Sequence, residues 1–282
     1  AAQADISIAT LPVNAKDAPE FGILKTNSES CIEAFIEKPA AELLPQWESD
    51  VSDEMKAQGK HYLASMGIYI FNRKLLVELM KNPDTKDFGK EIIPQAVGHQ
   101  KILSYQYEGY WTDIGNIDSF FEANIGLTDD IPQFNLFDNE NKIYTRPRLL
   151  PPSKFQKTLI EKSLISEGCI LNAKEIKKSV IGIRSRIGVD TIIQNSYVMG
   201  NDYYQSLEDM NEDIYNDKLL VGIGERCFIN NALVDKNVRI GNDVYINGGK
   251  HLENCSNELY AVKDGIVVIK KGAIIPNNFV VK

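Results

Sequence analysis

Two short stretches place carboxylates and an ammonium at the ends of apolar runs. In FIEKPA, Phe35–Ala40, Glu37 and Lys38 are delivered by a strand that Pro39 ends. A lysine is a mobile point charge suited to phosphate, and a carboxylate suits the hydroxyls of a sugar. Neighbours on a strand point to opposite faces, so both reach one ligand only where the strand curls at its end. In GYWTDIGN, Gly109–Asn116, Asp113 lies between an aromatic strand end and Gly115, just before a helix. Ligands of open α/β sheets bind at such strand ends, and a carboxylate there can hold Mg²⁺ beside a phosphate. The same carboxylate can instead cap the helix that follows. Histidines are only His61, His99 and His251, too few for a histidine metal cluster or a charge relay. The cysteines, Cys31, Cys169, Cys227 and Cys255, match no zinc-ligand spacing and read as reduced thiols of a cytosolic protein.

The elements that must hold these residues change character along the chain. Residues 1–130 read as mixed α/β, with strands in Ile6–Val13, CIEAFIEK and YLASMGIYIF. NRKLLVELMK reads as a helix capped by Asn72, and DFGKEIIPQAV as a loop leading into a short helix. GNIDSFFEANIGL reads as a helix that Asn116 can cap, with Ile117, Phe120, Phe121 and Ile125 as its buried stripe. This alternation implies a largely parallel or mixed sheet. The first strand has no helix before it to cover it, which points to a further N-terminal part of the catalytic domain not contained in this chain. Residues 131–158, with Pro147, Pro151 and Pro152, read as a linker.

From residue 159 to 282 aliphatics recur about every six positions: Ile165, Leu171, Ile176, Ile181, Ile187 and Ile193, then Ile223, Ile229, Val234, Ile240 and Ile246, then Ile269, Ile275 and Val281. That period fits a parallel β-helix whose triangular coils stack aliphatics inside. Residues 201–217 interrupt it with six acidic residues and no basic one, and read as a solvated acidic excursion.

The 282 residues carry a net charge of −8, which argues against a life on nucleic acid or on an anionic membrane. The charge is uneven. Lys142 to Asp190 holds eleven basic and four acidic residues, either a solvated rim or an anion site.

The strings EFGI, FIEKP, YLASMGIYIF, DFGKEIIP, GYWTDIGNIDSFFEAN, YTRPRLLPPSK and VDKNVRIG, in this order, precede a terminal GIVVIKKGAIIP. Together they resemble ADP-glucose pyrophosphorylase (glucose-1-phosphate adenylyltransferase), closer to the cyanobacterial and plant type than to the enteric one. The resemblance runs through essentially the whole chain. It implies the C-terminal half of a Rossmann-like nucleotidyltransferase domain followed by a left-handed parallel β-helix. It also implies the conversion of ATP and glucose 1-phosphate to ADP-glucose and pyrophosphate for glycogen or starch synthesis, with Mg²⁺, in a cytoplasmic (in plants, plastid) homotetramer regulated by phosphorylated metabolites. The family's Gly-rich nucleotide-phosphate loop has no counterpart string here, so this chain alone is expected to be inactive.

By that resemblance Lys38 binds the phosphate of glucose 1-phosphate and Glu37 the glucose hydroxyls. Ser65 and Gly22 line the sugar pocket, with Lys90 and Tyr110 as neighbours. Asp113 is a metal carboxylate. Lys236 and Lys271, with Arg146 and Arg148, form an allosteric anion site. Two alternatives share the fold: a non-catalytic regulatory subunit of the same family, and another sugar-1-phosphate nucleotidyltransferase. A hexapeptide acyltransferase would need a histidine in the coils, where only His251 lies, in the loop-like NGGKH.

Overall fold

The computed structural model describes residues 3–81 and 86–282, in two compact units, 1–111 and 112–282. The first is built on a five-stranded sheet. Its strands are β1 (Ile6–Asn14), β2 (Gly22–Thr26), β3 (Ile32–Glu37), β4 (Lys60–Phe71) and β5 (Ile102–Gln106), in the order β3-β2-β4-β1-β5. The sheet is mixed, and among its pairs only β1–β5 is parallel. Three short helices join the strands: α1 (Asp53–Ala57), α2 (Arg73–Leu79) and α3 (Ile93–Ala96), the last preceded by a π-turn at Phe88–Ile92. Asn72 caps α2, its side chain accepting from the Lys74 N–H at 3.0 Å. One apolar cluster gathers Ile6, Ile8, Leu24, Ile32, Ile93 and Ile102, and a second Val13, Ile23, Leu44, Tyr62 and Ala64. Alternate residues of β1 enter different clusters, as a sheet packed on both faces requires.

The second unit opens with α4 (Ile117–Gly126), capped by Asn116, whose Oδ1 accepts from the Ser119 N–H at 2.8 Å. Phe121 and Ile125 are buried with Leu233 and Ile266 of the following β-structure, and Ile117 and Phe120 pack alongside. Helix 117–126 thus packs within the second compact unit.

Residues 154–282 form a parallel β-helix of three sheets. Every aliphatic of the six-residue series from Leu171 to Val281 is buried, and Ile165 packs against them. Successive coils align them in register, as in Ile165, Ile181, Val198, Val234 and Ile269 on one face. Leu171, Ile187, Ile223, Ile240 and Ile275 form the second ladder, and Ile160, Ile176, Ile193, Ile229, Ile246 and Val281 the third. Corners need left-handed backbone, which Asn, Asp and Gly supply most cheaply. Asp190, Asn195, Asn231, Asn237 and Asp243 take it, and so does Gly200 (φ 82°), where a Cβ would strike the Ile183 carbonyl.

Stacking begins inside the stretch read as linker. The Ser153 hydroxyl donates to the Ser166 carbonyl at 2.6 Å and accepts from the Cys169 N–H at 3.1 Å, and Lys154–Phe155 pair with Ile170–Leu171. The two prolines just before Ser153 mark where ladder pairing starts. The acidic stretch is an excursion between coils, as read, and folds in part as α5 (Leu207–Tyr215). Among the described residues no helix is long and apolar enough to cross a membrane.

Candidate functional site

Glu37 ends β3 opposite Gly22, the first residue of β2. A Cβ on Gly22 would lie 2.6 Å from the Phe35 ring and 2.8 Å from Glu37 Oε2, so only a glycine lets that ring and carboxylate cross the strand here. A Cβ on Gly89 would sit 3.5 Å from the same Oε2. The Glu37 carboxylate is thus held between two bare backbone positions.

Lys38 follows with φ 46°, in the left-handed region, and its N–H donates to the Phe21 carbonyl at 3.0 Å. This is the curl that the sequence argument requires, since a left-handed residue breaks strict strand alternation. A non-glycine residue held there carries local strain, which accumulates at functional positions. The Phe21 ring packs against Trp111, centroids 5.8 Å apart.

Ser65 lies on β4 opposite Thr10, where the register jumps: Ile8 pairs with Tyr69 and Thr10 with Ser65. The bulge holds Met66–Ile68, with Gly67 at φ 71° and its N–H donating to Ser65 Oγ at 3.3 Å. Ser65 Oγ is also 3.4 Å from the Tyr69 hydroxyl. Tyr69 stacks on Phe88 at 5.9 Å, and Phe88 leads directly into Gly89 and so back to Glu37. Asp87 holds this loop: its Oδ1 accepts from the Lys90 N–H at 2.8 Å, while Glu91 accepts from the Lys86 N–H at 2.7 Å.

Gly22, Glu37 and Ser65 are therefore joined through the 87–90 loop, with Lys90 inside it, and Lys38 follows Glu37 in the chain. Tyr69, Phe88 and Gly89 complete the connection and were not singled out as site residues. The signal available was the DFG string ahead of a helix start, with Asp87 in the cap position.

Asp113 lies in the second unit and is exposed. Its Oδ1 accepts from the Gly115 N–H at 2.9 Å. Asn116 caps α4, so the helix-capping alternative for Asp113 falls away. Among the described residues no group of three or more His, Cys, Asp or Glu side chains is arranged to hold a metal.

The cations assigned to the anion site fall into two pairs. Lys236 and Lys271 lie on adjacent coils, the Gly272 N–H donating to the Lys236 carbonyl at 2.9 Å. Arg146 and Arg148 are exposed neighbours, with Arg148 Nη1 at 3.5 Å from the Arg146 carbonyl. Lys236 is already neutralised. Its ammonium donates to Asp202 of the acidic excursion at 2.8 Å, and Asn237 donates to the same carboxylate at 2.9 Å. The Lys236 hydrogen bond holds the Asp202 carboxyl below the ordinary aspartate range, with the Lys271 charge adding to it. An acid of the excursion thus offsets the Lys236 charge.

Buried Cys169 and Cys227 lie inside the coils, and loss of solvent pushes both thiols up.

Residues 1–130 match the family model for nucleotidyl transferase, and residues 148–280 match that for the GLGC left-handed parallel beta-helix domain. The match gives the β-helix its hand and puts Glu37, Lys38 and Ser65 within the segment that matches nucleotidyl transferase. This chain thus joins a nucleotidyl transferase domain to a GLGC-type left-handed β-helix, the pairing that supports its place among the sugar-1-phosphate nucleotidyltransferases.

Proposed function

We propose that this chain serves the adenylyl transfer that makes ADP-glucose and pyrophosphate from ATP and glucose 1-phosphate, feeding glycogen or starch synthesis. The observation that carries the reading is the Glu37 carboxylate held between Gly22 and Gly89, with Lys38 beside it at a left-handed strand end. A rigid carboxylate accepts hydrogen bonds from sugar hydroxyls, and an adjoining ammonium offsets a phosphate.

In the reaction an ionised phosphate oxygen of the sugar phosphate attacks the α-phosphorus of ATP. The bond to the bridging oxygen breaks, and pyrophosphate leaves with the electron pair. The attacking oxygen carries no proton, so no general base is needed, in keeping with a site without histidine. Lys38 binds and orients the attacking phosphate. Ser65, fixed by the β4 bulge, and Glu37 orient the sugar ring. Asp113 would hold Mg²⁺, which would neutralise charge on the triphosphate.

Lys236, Lys271, Arg146 and Arg148 receive phosphorylated metabolites as effectors. Four copies assemble as a homotetramer in the cytoplasm or plastid.

The test uses a protein in which the Gly-rich nucleotide-phosphate loop precedes this chain, supplies glucose 1-phosphate with ATP, UTP, CTP or dTTP in turn, and identifies the sugar nucleotide formed. ADP-glucose as the dominant product is expected. A dominant UDP- or dTDP-sugar overturns the choice of nucleotide. Binding of glucose 1-phosphate without turnover favours the regulatory-subunit reading.

A further inference from the structure

The acidic excursion carries a helix that turns Met210 and Asp213 toward the coils and leaves its other residues exposed. A capping box opens α5: the Asp209 N–H donates to Ser206 Oγ at 3.0 Å and the Ser206 N–H to the Asp209 carboxylate at 3.2 Å. Its ties to the coils are polar. Asp213 accepts from Arg239 at 2.5 Å and from Gln205 at 2.7 Å, and Gln205 Oε1 accepts from the Val221 N–H at 2.7 Å. Arg239 also donates to the Leu219 carbonyl, so its charge is fully engaged.

The side left to solvent is apolar. Leu207 is 79% exposed, Ile214 60% and Tyr215 90%. Leu207 and Ile214 are seven residues apart and share one stripe, with Tyr215 beside it. Beyond the helix end lies an open groove of about 630 Å³ lined by Asp213, Asp217, Lys218, Leu219, Arg239 and Ile274 among others. Surface helices of soluble proteins turn their apolar stripe to the core, and an exposed patch with a polar rim marks an interaction site. Here the rim is Glu208, Asp209, Glu212 and Asp217, in a stretch without a basic residue.

We infer that this face docks a basic amphipathic segment of another protein. The segment's apolar side chains cover Leu207, Ile214 and Tyr215, and its cations meet Glu208, Glu212 and Asp217. Charge complementarity selects this occupant. A second copy placed across a two-fold axis would bring one acidic excursion against another, and like charges in contact oppose pairing.

The probe is a fluorescent helical peptide with leucines at i, i+3, i+4 and i+7 and lysines elsewhere, measured by anisotropy. A twin with glutamate for lysine and a scrambled twin serve as comparisons. Micromolar binding of the lysine peptide is expected, weakening as salt rises. The substitutions Leu207→Ser, Ile214→Ser and Tyr215→Ser together should weaken it at least about tenfold without lowering the unfolding temperature, because all three side chains are exposed. Equal binding by the triple variant overturns the inference, as does equal binding of the glutamate or scrambled peptide. Sedimentation of the chain alone is run in parallel. Self-association that the triple variant abolishes identifies a second copy as the occupant and also overturns it.

Discussion

Lys38 sits where a glycine would be less strained, at φ 46°, a conformation that costs a non-glycine residue on the order of 1 kcal/mol. Lys38→Ala should weaken glucose 1-phosphate binding about 10- to 150-fold, the equivalent of a lost charge-assisted contact of ~1.5–3 kcal/mol. In a protein that carries the Gly-rich nucleotide-phosphate loop ahead of this chain, ATP binding should change little, and kcat less than KM, because most of that contact is made equally in ground and transition states. Titration with each substrate separately checks this. At the effector end, the same residue-level argument concerns Asp202, which occupies the Lys236 ammonium. Asp202→Asn should free that cation and tighten inorganic phosphate binding by up to about fivefold, the scale of an exposed ion pair. Phosphate titration followed by NMR on wild type and variant reads it, and unchanged affinity removes Lys236 from the anion site.

Within the β-helix, hydroxyls at one corner do what aliphatics cannot. Ser163 Oγ accepts from the Ser179 N–H, Ser179 Oγ from the Ser196 N–H, and Ser196 Oγ from the Ala232 N–H, each at 3.2 Å. Each hydroxyl donates in turn to a carbonyl two residues back in its own coil. The ladder thus satisfies buried amides where the chain turns and sheet pairing is interrupted. Ser179→Ala leaves the buried Ser196 N–H without its acceptor and should cost about 1–3 kcal/mol. Denaturant unfolding measures the loss. Ser179→Thr, which keeps the hydroxyl, serves as the comparison and should lose less.

In the second unit five aspartates have carboxyls held below their ordinary range, Asp138 and Asp264 chiefly by a hydrogen bond from an asparagine and the other three chiefly by one from a cation: Asp202 by Lys236, Asp213 by Arg239 and Asp243 by Arg226. A carboxyl lowered in the folded state contributes stability above its unfolded value and loses it as pH falls through the folded one. Stability should therefore be flat from neutral pH to about 4 and then fall. Thermal unfolding scanned against pH should show this, with the acid limb shallower in Asp243→Asn. Thiol chemistry should sort by exposure in the same molecule. Cys255 is exposed, whereas Cys169 and Cys227 are buried with raised values, so little thiolate forms at neutral pH. A thiol reagent under native conditions should modify Cys255 first and the two buried cysteines only on unfolding.

The ladders from Ile165 to Val281, the caps at Asn72 and Asn116 and the strands around Glu37 could all be read from residue order. Each depends on neighbours within one coil, one turn or one strand, and a local period records that geometry directly. The meeting of Glu37 with Gly89, fifty-two residues later, carries no such mark in the chain. Nor does the pairing of Asp202 with Lys236, which needs an excursion to return to a later coil. The acidity of residues 201–217 was plain in the sequence, but which side of α5 faces the coils was not. Helical periodicity identifies an apolar stripe without saying what covers it. That was decided when Arg239, two coils' worth of chain away from the helix start, took the Asp213 carboxylate and turned Leu207 and Ile214 outward.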